Sequence, residues 1–206
     1  MEQLPGLPAE AFRKADPTPD PLFYRQPRFV AHIDDAAIAA VTDTYRAVLP
    51  PGGTVLDLMS SWISHLPPEV AYAAVVGHGM NAAELAANPR LTRHFVQDLN
   101  ADPALPLDDA SLDAACLCVS VQYLQRPVDV FREVARALRP GAPFVVSFSN
   151  RCFPTKAVAI WQALGSGEEQ ARLVGAYLGS AGFAAVEGRA FRPPAGDPLW
   201  TVIGRR

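Results

Sequence analysis

The stretch Asn150-Arg151-Cys152-Phe153-Pro154-Thr155-Lys156 combines an amide, two cations and an aromatic ring in one short segment. Arginine presents a planar fork of donors and lysine a compact point charge, so such a loop suits an anionic or carboxylate-bearing ligand. The competing reading leaves Arg151 and Lys156 as solvated surface charges. Near the N-terminus Phe23-Tyr24-Arg25 and Arg28 repeat the pairing of aromatic and cation, and could close over a pocket as a lid. His65 and Tyr123 are side chains able to exchange protons, or equally hydrogen-bonded structural groups. Trp62 and Trp161 would line a pocket or sit in the core. Cys116, Cys118 and Cys152 are odd in number and set in apolar surroundings. Reduced buried thiols are therefore expected, and no metal site.

These residues need a scaffold, and the pattern of apolar runs supplies one. Short runs at Thr54–Met59, Tyr72–Val76, His94–Val96, Leu112–Val119 and Ala142–Ser149 alternate with helical stretches at Asn81–Asn88 and Pro127–Leu138. This is the βαβ rhythm of a parallel sheet. Leu112–Val119 is apolar almost throughout, as a strand buried on both faces must be. Ahead of the first strand, Ile38, Val41, Tyr45, Val48 and Leu49 recur at helical spacing over Ala36–Leu49, with Asp34 or Asp35 placed to cap. Helices around Lys156–Leu164 and Glu168–Ala181 follow, then strands at Ala184–Phe191 and Pro198–Gly204 around a Gly/Pro turn, as in a hairpin. Residues 1–22 carry Pro5, Pro8, Pro17, Pro19 and Pro21 and are expected to be extended and draped, a poor core element. The organisation expected is an arm and helix over residues 1–49, a candidate lid, and one domain over 50–206.

Composition narrows the partners. A net charge of −3 without a Lys/Arg block argues against nucleic acid. No apolar run approaches the roughly 20 residues that span a bilayer, and the N-terminal segment lacks a basic-then-apolar leader, so the chain is expected in the cytoplasm and away from membranes. A monomer or homodimer acting on a small molecule is expected.

Leu105-Pro106-Leu107-Asp108-Asp109-Ala110-Ser111-Leu112-Asp113-Ala114-Ala115 resembles the LPF-x-D-x-SFD-x-V segment of class I S-adenosylmethionine-dependent methyltransferases, of the methyltransferase type 11 kind. Leu138-Arg139-Pro140-Gly141-Ala142 follows at that family's spacing and is similar to its LRPGG turn. Leu56–Trp62, Val76–Asn81 and Ser149–Lys156 resemble an uncharacterised bacterial and plant subgroup. The resemblance covers residues 50–206. It implies an α/β, Rossmann-like, seven-stranded, mostly parallel sheet with an antiparallel last strand and helices on both faces, and S-adenosylmethionine as cofactor. The family carries an acid and then G-x-G-x-G after the first strand. Here Asp57 keeps the acid, near the cofactor ammonium, while Met59, Ser61 and Ile63 stand at the glycine positions and Ser60 lies between them. The ribose-binding acid aligns with Gly79, so His78 and Asn81 are the alternative ribose partners, with Met80 against adenine. The alternative for Asn81 is a plain helix cap. Asp98 and Leu99 match the adenine position, or build a turn with Asn100. Ser120, Gln122 and Tyr123 follow the fourth strand, near the methyl group. The expected catalytic pair is Tyr123 and His65, and the expected acceptor contacts are Tyr24, Arg28, Trp62, Gln122, Asn150 and Arg151. The resemblance implies methyl transfer but supplies no acceptor; with the cationic loop at Asn150–Lys156, the acceptor expected is a small anionic or phenolic molecule. Loss or repurposing of the cofactor site is the alternative.

Overall fold

The computed structural model describes residues 4–206; residues 1–3 of the expected arm lie outside the described residues. The sheet consists of β1 (Thr54–Leu58), β2 (Ala74–Gly79), β3 (Arg93–Val96), β4 (Ala114–Cys118), β5 (Pro143–Ser149), β6 (Ala184–Phe191) and β7 (Leu199–Arg205). Their order is β3-β2-β1-β4-β5-β7-β6. β7 runs antiparallel to both its neighbours, and the pairs among β1 to β5 are parallel. The chain therefore reverses its direction of travel across the sheet between β1 and β4, where α/β sheets hold ligands beyond their strand ends.

The helices are α1 (Asp20–Phe23), α2 (Asp35–Val48), α3 (Ala82–Ala87), α4 (Pro127–Ala137), α5 (Ala159–Ala163) and α6 (Gly167–Ser180). Asp34 caps α2 by accepting from the Ala37 amide at 2.9 Å, and Asn81 caps α3 by accepting from Ala83 and Glu84. Alternate strand residues point to opposite faces, which sorts the core into two layers. Val55, Val75, Cys116 and Val145 pack under α2 with Val41 and Tyr45. Leu56, Leu58, Leu117 and Phe144 pack under α4 and α6 with Phe131, Val134 and Tyr177. Asp57 shares the face of Val55 and so points toward α2.

Several expectations need correction. The arm is stitched into the core. Phe12 and Leu4 are buried, the Phe12 ring lies 6.3 Å from that of Tyr177, and Lys14 bridges Val158. Proline removes backbone donors, but the amides that remain find partners, as Asp16 N–H does at Thr155 O (2.9 Å). β2 begins two residues later than expected and runs through Gly77 and Gly79, because the Leu91 side chain fills the space a Cβ at Gly77 would take. The helix expected from Lys156 begins only at Ala159, since Lys156 is drawn inward to the arm. Cys152 is exposed on the loop after β5, whereas Cys116 is buried.

Candidate functional site

A cavity of about 400 Å³ opens at the carboxyl ends of β1, β2 and β4. That volume lies near the lower end of the roughly 300–1,000 Å³ typical of ligand sites. The sheet supplies its floor, the loop after β1 one wall, and residues from α1 to His32 its roof.

The β1 loop is shaped by polar bonds. Asp57 is buried and accepts from Ser60 Oγ (2.6 Å), from Ser64 Oγ and from Cys116 Sγ (3.7 Å). Burial nevertheless raises its carboxyl above the usual range, the three donors offsetting only part of the lost hydration. Met59 has φ 54°, the left-handed region that favours glycine. A side chain there costs about 1–2 kcal/mol. His78 holds the turn: its Nδ1 accepts from the Met59 amide at 3.1 Å and its Nε2 faces the Gln97 carbonyl at 3.0 Å. Those contacts assign the proton to Nε2. Ser60 N–H donates to His78 O at 2.6 Å, so the loop crosses directly over Gly79. A Cβ at Gly79 would stand 2.5 Å from Ser60 O. Gly79→Asp is therefore expected to cost about 1–3 kcal/mol by overpacking, with no gain in ligand affinity. Thermal melting and ligand titration of that variant check both parts; an undiminished melting temperature would contradict the close approach.

The roof is tied to the walls. Asn81 Nδ2 donates to the carbonyls of Tyr24 (2.9 Å) and Arg25 (3.2 Å), and Arg28 N–H donates to Glu84 Oε1 at 2.6 Å. Ser61 Oγ donates to the other oxygen of Glu84 at 2.6 Å. The Arg28 guanidinium lies 4.6 Å from the Phe23 ring centre, 5.7 Å from Tyr24 and 5.5 Å from Phe153. Lys156, fully buried, contacts Asp16 (3.2 Å) and Asp20 (3.5 Å) and donates to Thr18 O at 2.5 Å. Asp20 also receives Lys14, and Asn100 Nδ2 at 2.9 Å.

The cavity brings together much of the expected site: Asp57, Met59, Ser60 and Ser61 in one wall, Gly79 to Asn81 at the end of β2, Asp98 and Leu99 after β3, and Ser120, Tyr123, His65, Tyr24, Arg28 and Arg151 around the rest. Three expected acceptor contacts do not line it. Trp62 turns outward and donates to Val30 O, Gln122 is buried below with Nε2 on Val119 O, and Asn150 is exposed beyond the rim. Trp161 is a core residue against Phe148. Lys156 is neither a ligand cation nor a surface charge, because its ammonium is spent on the arm. His78 and Asn81 have their polar atoms committed to the loop, the helix cap and the roof, leaving neither free for a ribose hydroxyl. Asp98 accepts from the Asn100 amide at 2.9 Å, as a turn-former does, while still facing the cavity.

Titration separates the two expected proton carriers. Burial pushes Tyr123 up to about 12, and its hydroxyl oxygen accepts from the Phe153 amide at 2.9 Å, so it remains a phenol at neutral pH. Burial pushes His65 down to about 4, keeping its ring neutral, and its buried Nδ1 has no partner. Sequence reasoning missed Tyr45 as a cavity residue. Tyr45 was read as a core position of α2, and its hydroxyl is in fact buried in the cavity wall without a partner.

Residues 61–146 match the family model of a methyltransferase domain. No curated protein matches the chain. Among solved structures, a S-adenosylmethionine-dependent methyltransferase from Mesorhizobium loti is 21% identical over 80% of this chain and 96% of its own, with a TM-score of 0.56. Haemonchus contortus phosphoethanolamine N-methyltransferase 2, in complex with S-adenosyl-L-methionine, is 11% identical over 84% of this chain and 52% of its own, with a TM-score of 0.59. The [4+2]-cyclase SpnF is 14% identical over 81% and 80%, with a TM-score of 0.61. The fold is that of the class I methyltransferases, and one of these neighbours was solved with S-adenosyl-L-methionine bound. The cavity suits such a group on two counts. It runs along the strand ends where the chain reverses, and two residues that line it carry buried polar atoms without protein partners, Arg28 Nη1 and His65 Nδ1.

Proposed function

We propose that the chain transfers the methyl group of S-adenosylmethionine to a small anionic or phenolic molecule. The observation that carries this reading is the single cavity that joins the strand-end residues Asp57, Gly79, Asp98 and Leu99 to the roof residues Tyr24 and Arg28 and to Tyr123, Arg151 and Phe153 beyond β4 and β5. Asp98 and Leu99 would hold the adenine, Met80 would lie against its face, and Asp57 would face the ammonium. When bound, the cofactor supplies an activated sulfonium methyl, whose in-line displacement depends mainly on orientation.

The residues around the acceptor support a deprotonated one. Tyr123 stays protonated at neutral pH and can donate to an acceptor oxygen. His65 is neutral, but with a value of about 4 it is too weak a base to hold a proton from a neutral alcohol. An acceptor that arrives as a carboxylate or phenolate needs no stronger base, and Arg151 at the rim suits its charge.

The loop after β1 also favours a second reading. Met59, Ser61 and Ile63 stand where glycines are usual in the family, and Gly79 stands at its ribose acid. With a [4+2]-cyclase among the structural neighbours, the fold is compatible with other chemistry, and a repurposed pocket is the alternative. Calorimetric titration of ligand-free protein with S-adenosylmethionine and S-adenosylhomocysteine tests the first reading. Micromolar binding is expected; folded protein that binds neither would sink it, and binding without turnover against a panel of phenols and aromatic acids would favour the alternative.

A further inference from the structure

We infer that Arg28 Nη1 is the carboxylate-binding atom of the cavity and that it receives the α-carboxylate of an amino-acid group, the tail of the bound cofactor. This inference rests on the reading of the pocket as a S-adenosylmethionine site, and it explains how a chain with this β1 loop could hold that tail. Nearest the strand end, the described residues 59–73 form no helix between β1 and β2. The wall beside Asp57 thus lacks a helix N-terminus, the usual backbone source of N–H groups for an anion.

Arg28 is placed to compensate. Its backbone N–H is taken by Glu84 and its Nη2 by Phe23 O (2.9 Å), while Nη1 is buried with no partner. Buried polar hydrogens without partners are rare, and Arg28 is among the residues lining a cavity large enough for a ligand. No carboxylate among the described residues forms an ion pair with Arg28. The other cations nearby are unsuited: Lys156 is bound to the arm, Arg151 is mostly exposed and stands 4.0 Å from Asp197, and burial keeps His32 and His65 deprotonated. The rings of Phe23, Tyr24 and Phe153 pack around the guanidinium and restrict its plane, so the unpartnered Nη1 is held in one orientation.

The charge of the remaining wall selects among anions. Asp57, Glu84 and Asp98 line the same cavity with no cation paired to them among the described residues, whereas Asp20 is already taken by Lys14 and Lys156. A simple anion would meet these carboxylates unaided. An amino-acid zwitterion brings its own ammonium to them and leaves its carboxylate for Arg28, matching both signs at once.

The test compares two nucleoside thioethers that differ in the amino-acid tail. S-adenosylhomocysteine carries it and 5′-methylthioadenosine does not. Titrations of wild type, Arg28→Gln and Arg28→Lys are run with both ligands, and thermal melting confirms that each variant is folded. The expected result is that Arg28→Gln weakens S-adenosylhomocysteine by about 10- to 100-fold, the range for a hydrogen bond to a charged group. Methylthioadenosine should bind all three proteins alike, and Arg28→Lys should recover part of the loss through its charge. Equal S-adenosylhomocysteine affinity in wild type and Arg28→Gln would overturn the inference while leaving the cofactor reading intact, and would move the carboxylate to the acceptor. Parallel weakening of both ligands would overturn it as well, by showing that Arg28 acts through the shape of the roof. Failure of both ligands to bind folded wild type would overturn the inference together with the proposed function.

Discussion

Lys156→Met is expected to destabilise the protein by about 3 kcal/mol, the low end of the range for removing one partner from a buried charge cluster. Lys156 is 0% exposed at its side chain and contacts both Asp16 and Asp20, so the substitution leaves carboxylates facing an apolar methyl. The loss stays at the low end because Lys14 and Asn100 still serve Asp20. Methionine keeps most of the stem volume, which isolates the charge from a cavity effect. For a chain of this size the melting temperature should fall by roughly 6–12 °C. Because Asp20 and Tyr24 belong to the cavity wall, ligand affinity should fall in the same variant. Calorimetric melting with and without ligand checks both effects, and an unchanged melting temperature would show that the arm is held by packing alone.

Acid should be the larger perturbation. Burial holds His65 and His78 at about 4 against an ordinary 6.5. The unfolded chain binds protons at these rings below about pH 6.5 that the folded chain refuses, so their contribution is complete above that value and is lost as pH falls toward 4. The loss reaches up to about 3 kcal/mol for each ring. Asp57 works in the opposite sense. Burial raises it, so its contribution is present at low pH and is lost as pH rises through its folded value. It therefore softens the acid limb without reversing it. Denaturant melts at intervals from pH 7 to 4.5 should show stability falling steeply through this window. His65→Gln should flatten part of the fall at little cost, since the ring nitrogen it replaces has no partner. A flat profile in the wild type would mean that water reaches both rings.

The pocket combines rigid and contingent parts. Its floor is backbone at strand ends, held by parallel ladders on either side of β1. Its roof is a strap tied to distant parts of the chain: Asn81 to Tyr24, Glu84 to Arg28, Lys156 to Asp16. A strap of this kind can close a ligand away from water, which strengthens the electrostatic contacts beneath it. It also explains why Phe153, on the loop after β5, meets Phe23 at 5.4 Å and His32 at 5.6 Å and is shared by roof and wall.

Much of this was determined by the sequence alone. The near-continuous apolar run of β4, the capping positions Asp34 and Asn81, and Pro127 and Gly141 bracketing α4 and its turn are local signals, because each expresses the geometry of a few consecutive residues. A parallel sheet followed from them, while the seven strands and the positions of Asp57, Gly79 and Asp98 came from the family resemblance. Only the tertiary structure decided the burial of Phe12 and Lys156, the exclusion of Trp62 and Gln122 from the cavity, and the passage of Ser60 over Gly79. Most of these depend on a partner far away in sequence, such as Asp16 for Lys156. Periodicity reports which face of an element is apolar, but it does not report which distant segment will cover that face or pair with a charge. Arg28 illustrates the division. Its type marked it as an anion binder from the start, yet its unpartnered nitrogen emerged only once the chain had folded Phe23, Tyr24 and Phe153 around it.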